Sequence, residues 1–344
     1  MRRVVLLIVT IGLLLPINAQ ALDPVPLTNQ GIIGGNVLDI SSLENGSENR
    51  SGFAGGALDS AQVVEVYTAT WCANCVDTEH ALMESLNNTD ATVLVFHRFI
   101  GESEDPFGTQ EGDDRWTDRY GEESKDIVGL QRAAPTVVFD GSRMKSGSSS
   151  HGESLEADYS EMYQDKHEYR SLNGIESEFS WTGNNSTGTL DWKLDSPDYW
   201  NNENITLNHY LVVVEESAYF PDGSNGLEYY EDVVRAVILL DASVQDDGRE
   251  LGGSVELQLP AAWDGDDLSL VLVHDWTYNP PEGCMDSMAE NYDPSAEVDD
   301  GSCLIIAISP PPEEQNGLPN VGLISVVCTT LLAAIFQSRI EKSA

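Results

Sequence analysis

The feature that most constrains this chain is a pair of cysteines, two residues apart, directly after an apolar run. Residues 63–67 (VVEVY) have the composition of a buried strand, and the motif WCANC follows at residues 71–75. A helical pattern begins at the motif, which places Cys72 at a helix N-terminus. Free backbone N–H groups and the helix dipole favour a thiolate there. The pattern predicts Cys72 as a nucleophile and Cys75, one turn inward, as the resolving thiol.

Both ends of the chain are apolar. Arg2 and Arg3 precede an apolar run at 4–15, and Ala19 and Ala21 fit a cleavage site, so residues 1–21 are predicted to be a signal peptide. An uncleaved N-terminal anchor is the alternative. Residues 315–338 carry no charge, and a helix over 318–338 would be about 30 Å long, enough to span a bilayer. A buried core helix is the alternative for this segment.

These two segments together predict an exported protein in the cell membrane. It would cross once, with an extracytoplasmic N-terminal ectodomain, and the basic residues after the apolar segment would keep residues 339–344 in the cytoplasm. The chain has 58 acidic and 17 basic residues, a formal net charge of -41. Such a surface excludes nucleic acid as a partner, because phosphate neutralisation needs basic residues.

The pattern between the two ends divides the chain into segments. Residues 22–60 are predicted to be an irregular acidic lead-in, residues 61–173 an α/β domain in the order βαβαββα, and residues 174–278 an all-β sandwich domain of short strands separated by turn clusters. A small Cys-flanked acidic module (279–303), a Pro-rich linker (304–317), the transmembrane helix (318–338) and the tail (339–344) follow.

A second motif supports the cysteine pair. Ala134 and Pro135 precede a short apolar strand about sixty residues after WCANC. The combination resembles the thioredoxin superfamily. It implies a thioredoxin-like α/β domain, a cis peptide bond at Pro135 beside Cys72, backbone groups of Ala134 that face a bound peptide, and Trp71 as a shield and substrate platform. With the sandwich domain, about two-thirds of the chain resembles the outer-membrane-protein-twenty-eight family of secreted proteins, a resemblance of architecture more than of activity.

The expected function is thiol–disulfide exchange with the thiols or disulfides of exported proteins, supported by an unknown redox partner and requiring no cofactor. Two departures from the family weaken it. Val66 stands where thioredoxins carry a buried acid that accepts the proton of the resolving thiol, and strand alternation points the adjacent Glu65 to the opposite face. Residues 73 and 74 are alanine and asparagine, which offer no charge to the thiolate.

Two other interpretations of the cysteine pair remain. In the first, the pair is a structural disulfide in a non-catalytic cell-surface binding protein. In the second, the pair delivers copper or another metal with help from His80 or His97. His209 and His274 lie alone in predicted strands and are interpreted as packed or surface residues.

The second cysteine pair, Cys284 and Cys303, predicts a structural disulfide in an exported chain. The segment resembles small Cys-flanked repeats of secreted prokaryotic surface proteins. Its spacing is not that of an EF-hand, but its oxygen-bearing side chains offer possible calcium ligands, and a solvated acidic loop is the alternative. The candidate ligands are Asp286, Asn291, Asp293, Asp299 and Asp300.

Overall fold

A computed structural model describes residues 23–43, 46–56, 60–99, 105–165, 173–195, 204–244 and 250–305. The chain divides into two compact units, Met1–Pro280 and Pro281–Ala344. The predicted signal peptide, the transmembrane helix at 318–338 and the tail lie outside the described residues. Within the described ranges, no helix is both long enough and apolar enough to cross a membrane. The expected single-pass anchor and membrane localisation are therefore not supported.

The first unit contains three helices among its described residues: α1 (Ala73–Ser85), α2 (Gln110–Val128) and α3 (Leu155–Gln164). The strands of the N-terminal half are β1 (Val25–Pro26), β2 (Gln30–Asp39), β3 (Ser47–Gly56), β4 (Val63–Thr68), β5 (Thr92–His97), β6 (Thr136–Phe139) and β7 (Arg143–Ser146). The strands that follow are β8 (Asn173–Gly183), β9 (Thr187–Asp195), β10 (Ile205–Tyr219), β11 (Tyr229–Leu240), β12 (Ser243–Val244), β13 (Glu250–Gln258) and β14 (Leu268–Tyr278).

These strands form two sheets. The larger has nine strands in the order β1-β7-β6-β4-β5-β11-β10-β14-β2, and the smaller has five in the order β12-β13-β9-β8-β3. Strand β4 pairs parallel with β5 and antiparallel with β6. The junction between the two halves of the large sheet is a parallel pairing of β5 with β11, at Val95 and Val233.

Side-chain alternation gives the large sheet two apolar faces. On one face, Trp116 and Tyr120 of α2 pack in a cluster that draws on β4 and β5 as well as β10 and β14. On the other face, α1 and α3 cover β4 to β6, with Leu82 and Met162 in the cluster. The five-stranded sheet contributes to a separate cluster with β2, β10 and β14, in the manner of a β-sandwich.

Local sequence explains the limits of the long helix α2. Thr109 precedes it in an extended conformation, and its hydroxyl accepts a hydrogen bond from the backbone N–H of Gly112 at 3.1 Å. The helix ends at Gly129, whose φ of 79° lies in the left-handed region that glycine adopts without strain. The cap and the terminal glycine hold α2 across the face of the large sheet.

The predicted fold class is wrong. We expected a thioredoxin-like α/β domain over 61–173, a separate sandwich domain and a transmembrane helix. The described residues are mostly β with three helices, and β4 to β7 belong to the same sheet as β2, β10, β11 and β14. The physical reason is that apolar alternation identifies strands but not their partners, and β11 pairs with β5 across more than a hundred residues.

The described residues within 22–60 also differ from the expected irregular lead-in. Strand β2 completes one edge of the large sheet, and β3 lies at an edge of the small one. Gly34 and Gly35 adopt φ values of 120° and 78°, where the register between β2 and β14 shifts. Glycine and polar residues disfavour strands in isolation, so the pairing with β14 and β8 decides their conformation.

The second unit is described by residues 281–305. Two short strands, β15 (Glu282–Gly283) and β16 (Val298–Asp299), pair in parallel. Cys284 and Cys303 form a disulfide, which closes the segment between them. Residues 281–305 contain few buried apolar side chains, so this crosslink is the main constraint on the fold of that segment.

Candidate functional site

The cysteine pair occupies the start of α1. Cys72 is the N-cap residue, with extended φ and ψ of -85° and 97°, and Cys75 lies in the first turn. The two form a disulfide. Cys72 keeps 7 % of its surface exposed and Cys75 keeps none, so Cys72 is the more accessible of the two. No acidic residue lies in the first turn, which leaves the helix dipole free to stabilise a Cys72 thiolate.

The predicted neighbours of the disulfide are brought together. Trp71 and Ala134 pack against the buried cluster formed by Ala69, Cys72 and Cys75. The peptide bond between Ala134 and Pro135 is cis. On the outer side, the guanidinium of Arg98 lies over the Trp71 ring, 5.7 Å from its centroid. The roles assigned to Trp71, Ala134 and Pro135 in substrate contact remain predictions.

A buried contact between a histidine and an aspartate supports the loop before the cysteines, and sequence reasoning missed it. Nδ1 of His97 lies 2.9 Å from Oδ2 of Asp105, and both side chains are fully buried. The same Asp105 oxygen accepts a hydrogen bond from the backbone N–H of Thr70 at 2.8 Å. Because Thr70 lies two residues before Cys72, Asp105 positions the approach to the disulfide. His97 is thus held as a structural partner of Asp105.

The connection between β10 and β11 reaches the same loop. The backbone N–H of Asn225 donates to the carbonyl of Thr70 at 3.1 Å, and the Tyr230 hydroxyl donates to that carbonyl at 3.4 Å. The Tyr230 hydroxyl also lies 2.9 Å from Oδ1 of Asn225. Residues of the predicted sandwich segment therefore form part of the cysteine site, although no local pattern in the sequence signals such a contact.

The acid–base groups near the disulfide differ from the family pattern. Val66 lies in the apolar cluster beneath α1, and Glu65 points to the other face, where it contacts Arg115 and Tyr120, as alternation predicted. Glu79, four residues after Cys75 on α1, accepts a hydrogen bond from the Thr68 hydroxyl. Burial raises the pKa of Glu79, although the Thr68 hydrogen bond and His97 oppose the shift.

A cavity of about 240 Å³ lies along α1, walled by β4, β5 and β11. Glu79 and His80 line it together with apolar side chains. His80 is exposed, whereas His97 is buried and contacts Asp105. Among the described residues, no group of three or more histidine, cysteine, aspartate or glutamate side chains is placed to hold a metal ion.

The five candidate calcium ligands are used in turns and loop contacts. Four of the side chains accept a hydrogen bond from the backbone N–H two residues further on; they are Asp286, Asp293, Asp299 and Asp300. Asn291 donates to the carbonyl of Ser302 at 2.8 Å. Side-chain and backbone hydrogen bonds from Ser295 lower the pKa of Asp293. The structure does not gather these side chains around one point.

The two histidines interpreted as isolated form a buried pair. Nδ1 of His209 on β10 lies 2.8 Å from Nδ1 of His274 on β14, and Nε2 of His274 lies 2.7 Å from the Ser177 hydroxyl. Burial lowers the pKa of His209 to about 4, although Asp275 opposes the shift. Burial and the neighbouring His209 lower the pKa of His274. The register of β10 against β14 creates the pair, which a single strand cannot reveal.

No protein-family model and no curated protein matches the chain. Two solved structures are similar at low scores. HBP35 of Porphyromonas gingivalis matches over 78 % of this chain and 83 % of its own, with 13 % identity and a TM-score of 0.42. A structural-genomics protein from Agrobacterium tumefaciens matches over 61 % of this chain and 93 % of its own, with 16 % identity and a TM-score of 0.38. Neither likeness assigns a family.

Proposed function

We propose that the protein is a thiol–disulfide oxidoreductase that acts on polypeptide substrates through Cys72 and Cys75. The observation that carries the proposal is the placement of the disulfide at the start of α1, with Cys72 slightly exposed and Cys75 fully buried. A helix N-terminus favours the thiolate that exchange requires. Partners would be polypeptides with accessible thiols or disulfides, and a redox protein that regenerates the pair.

The exchange balances in either direction. In oxidation, a substrate thiolate attacks Sγ of Cys72, the bond to Cys75 breaks, and Cys75 leaves as a thiolate. A second substrate thiolate then attacks the substrate sulfur of the mixed disulfide and releases the Cys72 thiolate, so that the substrate gains a disulfide and the protein gains two electrons. In reduction, the same steps run backwards from the Cys72 thiolate.

The first test is to trap the mixed disulfide. Cys75→Ser leaves Cys72 without its resolving partner, so incubation with a peptide disulfide should accumulate an adduct at Cys72, detected by non-reducing electrophoresis and mass spectrometry. Cys72→Ser should form far less adduct because Cys75 is buried. The double variant Cys284→Ser/Cys303→Ser is the matched control, since it removes the other disulfide and should leave exchange unchanged.

The second test is the reduction potential of the pair, measured by equilibration with glutathione buffers. A catalytic pair should fall between about -270 and -120 mV, whereas a structural disulfide lies below about -300 mV. The competing function is a non-catalytic binding protein in which the pair is structural. A potential below that limit, no adduct with Cys75→Ser, and unfolding on removal of either cysteine would favour it.

A further inference from the structure

The cavity along α1 is apolar over most of its wall. The side chains that form its floor and sides come from four elements, and they are Val66, Val76, Leu82, Val93, Val95 and Tyr230. At its mouth, Met83 and Tyr229 are 45 % and 57 % exposed. An apolar hollow with exposed apolar side chains at its mouth favours an occupant that removes both from water.

Neither cysteine lines this cavity, but two of its lining residues connect it to the surroundings of the disulfide. Val76 lies one helical turn after Cys72, so the flank of α1 that begins at Cys72 continues into the cavity. Tyr230 is part of the cavity wall, and its hydroxyl contacts the carbonyl of Thr70, two residues before Cys72. A polypeptide held at Cys72 and extended along α1 would therefore pass over the cavity.

The polar groups of the cavity are acidic. Three carboxylates line it, those of Glu79, Glu231 and Asp232, together with a single histidine, His80. Within the described part of the chain, no hydrogen bond or ion pair engages the Asp232 carboxylate. Burial raises the pKa of Asp232 to about 6, and the negative charges of Glu231 and Glu216 add to the shift. A cation placed in the cavity would relieve this repulsion and pair with Asp232.

The volume decides what kind of cation fits. Pockets for drug-sized ligands have volumes of about 300–1,000 Å³, so a cavity of about 240 Å³ suits a single long side chain. Lysine and arginine combine an apolar stem with a charged head. Their stems would cover Val76 and Val95, and their heads would reach Asp232. Charge complementarity with an apolar wall thus points to a basic side chain.

We propose that the cavity is a specificity subsite for polypeptides that carry a lysine or arginine near the cysteine that reacts with Cys72. The proposal rests on the proposed exchange function and defines its substrate class. From Cys72 to Glu79, α1 rises about 11 Å at 1.5 Å per residue. An extended chain covers this distance in about three residues. The basic residue is therefore expected about three positions from the reacting cysteine.

The binding test uses peptides that cannot undergo exchange. Two fluorescent synthetic nonapeptides carry serine in place of cysteine, with either lysine or norleucine three positions away. Fluorescence anisotropy on the full chain should show the lysine peptide binding about fivefold more tightly, the scale of one partly buried ion pair. Asp232→Asn should abolish that preference. Asp118→Asn, an exposed position on α2, is the matched control and should retain it.

A second variant tests the same proposal in case Asp232→Asn fails to fold. Met83→Lys places a cation at the exposed mouth of the cavity, so it should weaken the lysine peptide by about fivefold and spare the norleucine peptide. Equal binding of both peptides to the unmodified chain would overturn the proposal. If the unmodified chain proves to be a dimer in solution, and Met83→Lys disrupts the dimer without changing peptide affinity, the cavity is a self-association surface and the proposal is overturned.

The kinetic test separates this proposal from the exchange function. Cysteine-containing versions of both peptides, as disulfides, are added to Cys75→Ser, and adduct formation at Cys72 is timed. The lysine peptide should react about fivefold faster, and Asp232→Asn should equalise the two rates. If serine peptides show the lysine preference but no cysteine peptide forms an adduct, the subsite is supported and the exchange function fails.

Discussion

The guanidinium of Arg115 lies 2.9 Å from the carboxylate of Asp275, so a buried ion pair joins α2 to β14. The other side of the same guanidinium contacts Glu65 on β4. Burial disfavours the charge, but Asp275 and Glu65 hold the pKa of Arg115 above its ordinary value. One side chain therefore links β4 of the cysteine half to β14 of the sandwich half.

Removal of this cation should be costly. Arg115→Met keeps an apolar stem but leaves the buried Glu65 without its ion-pair partner, while Asp275 keeps only Arg119, at 3.3 Å. We expect the free energy of unfolding to fall by about 3–5 kcal/mol, measured by urea denaturation. Arg50→Met, which breaks an exposed pair with Glu48, is the matched control and should change stability little. Equal effects of the two variants would contradict the assigned role of Arg115.

Acid should weaken the fold through the histidine pair. The pKa of His209 is about 4 in the folded chain, below its value of about 6.5 in an unfolded one. The unfolded state therefore binds protons first, and stability falls as the pH drops below about 6.5. Between pH 7.5 and 5 the loss from His209 alone should be about 2 kcal/mol.

The check on this prediction is denaturation across that pH range. His209→Gln supplies an amide in place of the imidazole and should reduce the pH dependence, because glutamine does not titrate and only the contribution of the buried His274 remains from the pair. His80→Gln, at an exposed position, should leave the slope as in the unmodified chain. An unchanged slope in His209→Gln would show that other groups, such as carboxylates, account for the acid sensitivity.

Glu79 should destabilise the fold at neutral pH. Burial raises the pKa of Glu79, so the folded state favours the protonated carboxyl group. The fold therefore loses stability as the pH rises above the ordinary carboxyl pKa of the unfolded chain. Glu79→Gln should raise the free energy of unfolding at pH 7, and the gain should shrink towards pH 4. Glu84→Gln, exposed on the same helix, serves as the control in thermal or urea denaturation.

The second disulfide should stabilise its own unit. Cys284 and Cys303 are separated by 19 positions, and closure of a loop of this size is worth about 3 kcal/mol in the chain-entropy model. Cys284→Ser/Cys303→Ser should increase amide hydrogen exchange across residues 281–305. The same measurement on Cys72→Ser/Cys75→Ser should show protection in that segment unchanged. Equal exchange in both double variants would mean that the β15–β16 contacts suffice.

Local features of the site followed from the sequence. The start of α1 at Cys72 was predicted from the strand-like run before it and the helical pattern after it. Alternation along β4 placed Val66 under α1 and Glu65 on the opposite face, as the structure shows. Such features depend on neighbours within a few residues, where periodicity and helix-terminus chemistry are informative.

Long-range features did not follow from the sequence. The contacts of Asp105, Asn225 and Tyr230 with Thr70 depend on how a loop and a distant strand return to the cysteine pair. The pairing of β5 with β11 joins the two predicted domains in one continuous sheet. The apolar sequence of a strand does not identify the strand with which it pairs. The same limitation concealed the meeting of His209 with His274.

The continuous sheet has a consequence for any attempt to divide the protein. A chain ended at residue 173 would lose β10, β11 and β14, which would bare the backbone edge of β5 and part of the apolar side of α2. Arg115 and Arg119 would lose their ion pairs with Asp275 as well. Bare edges recruit strands from other molecules, so the cysteine half on its own should aggregate. The proposed exchange activity should therefore be measured on the undivided polypeptide.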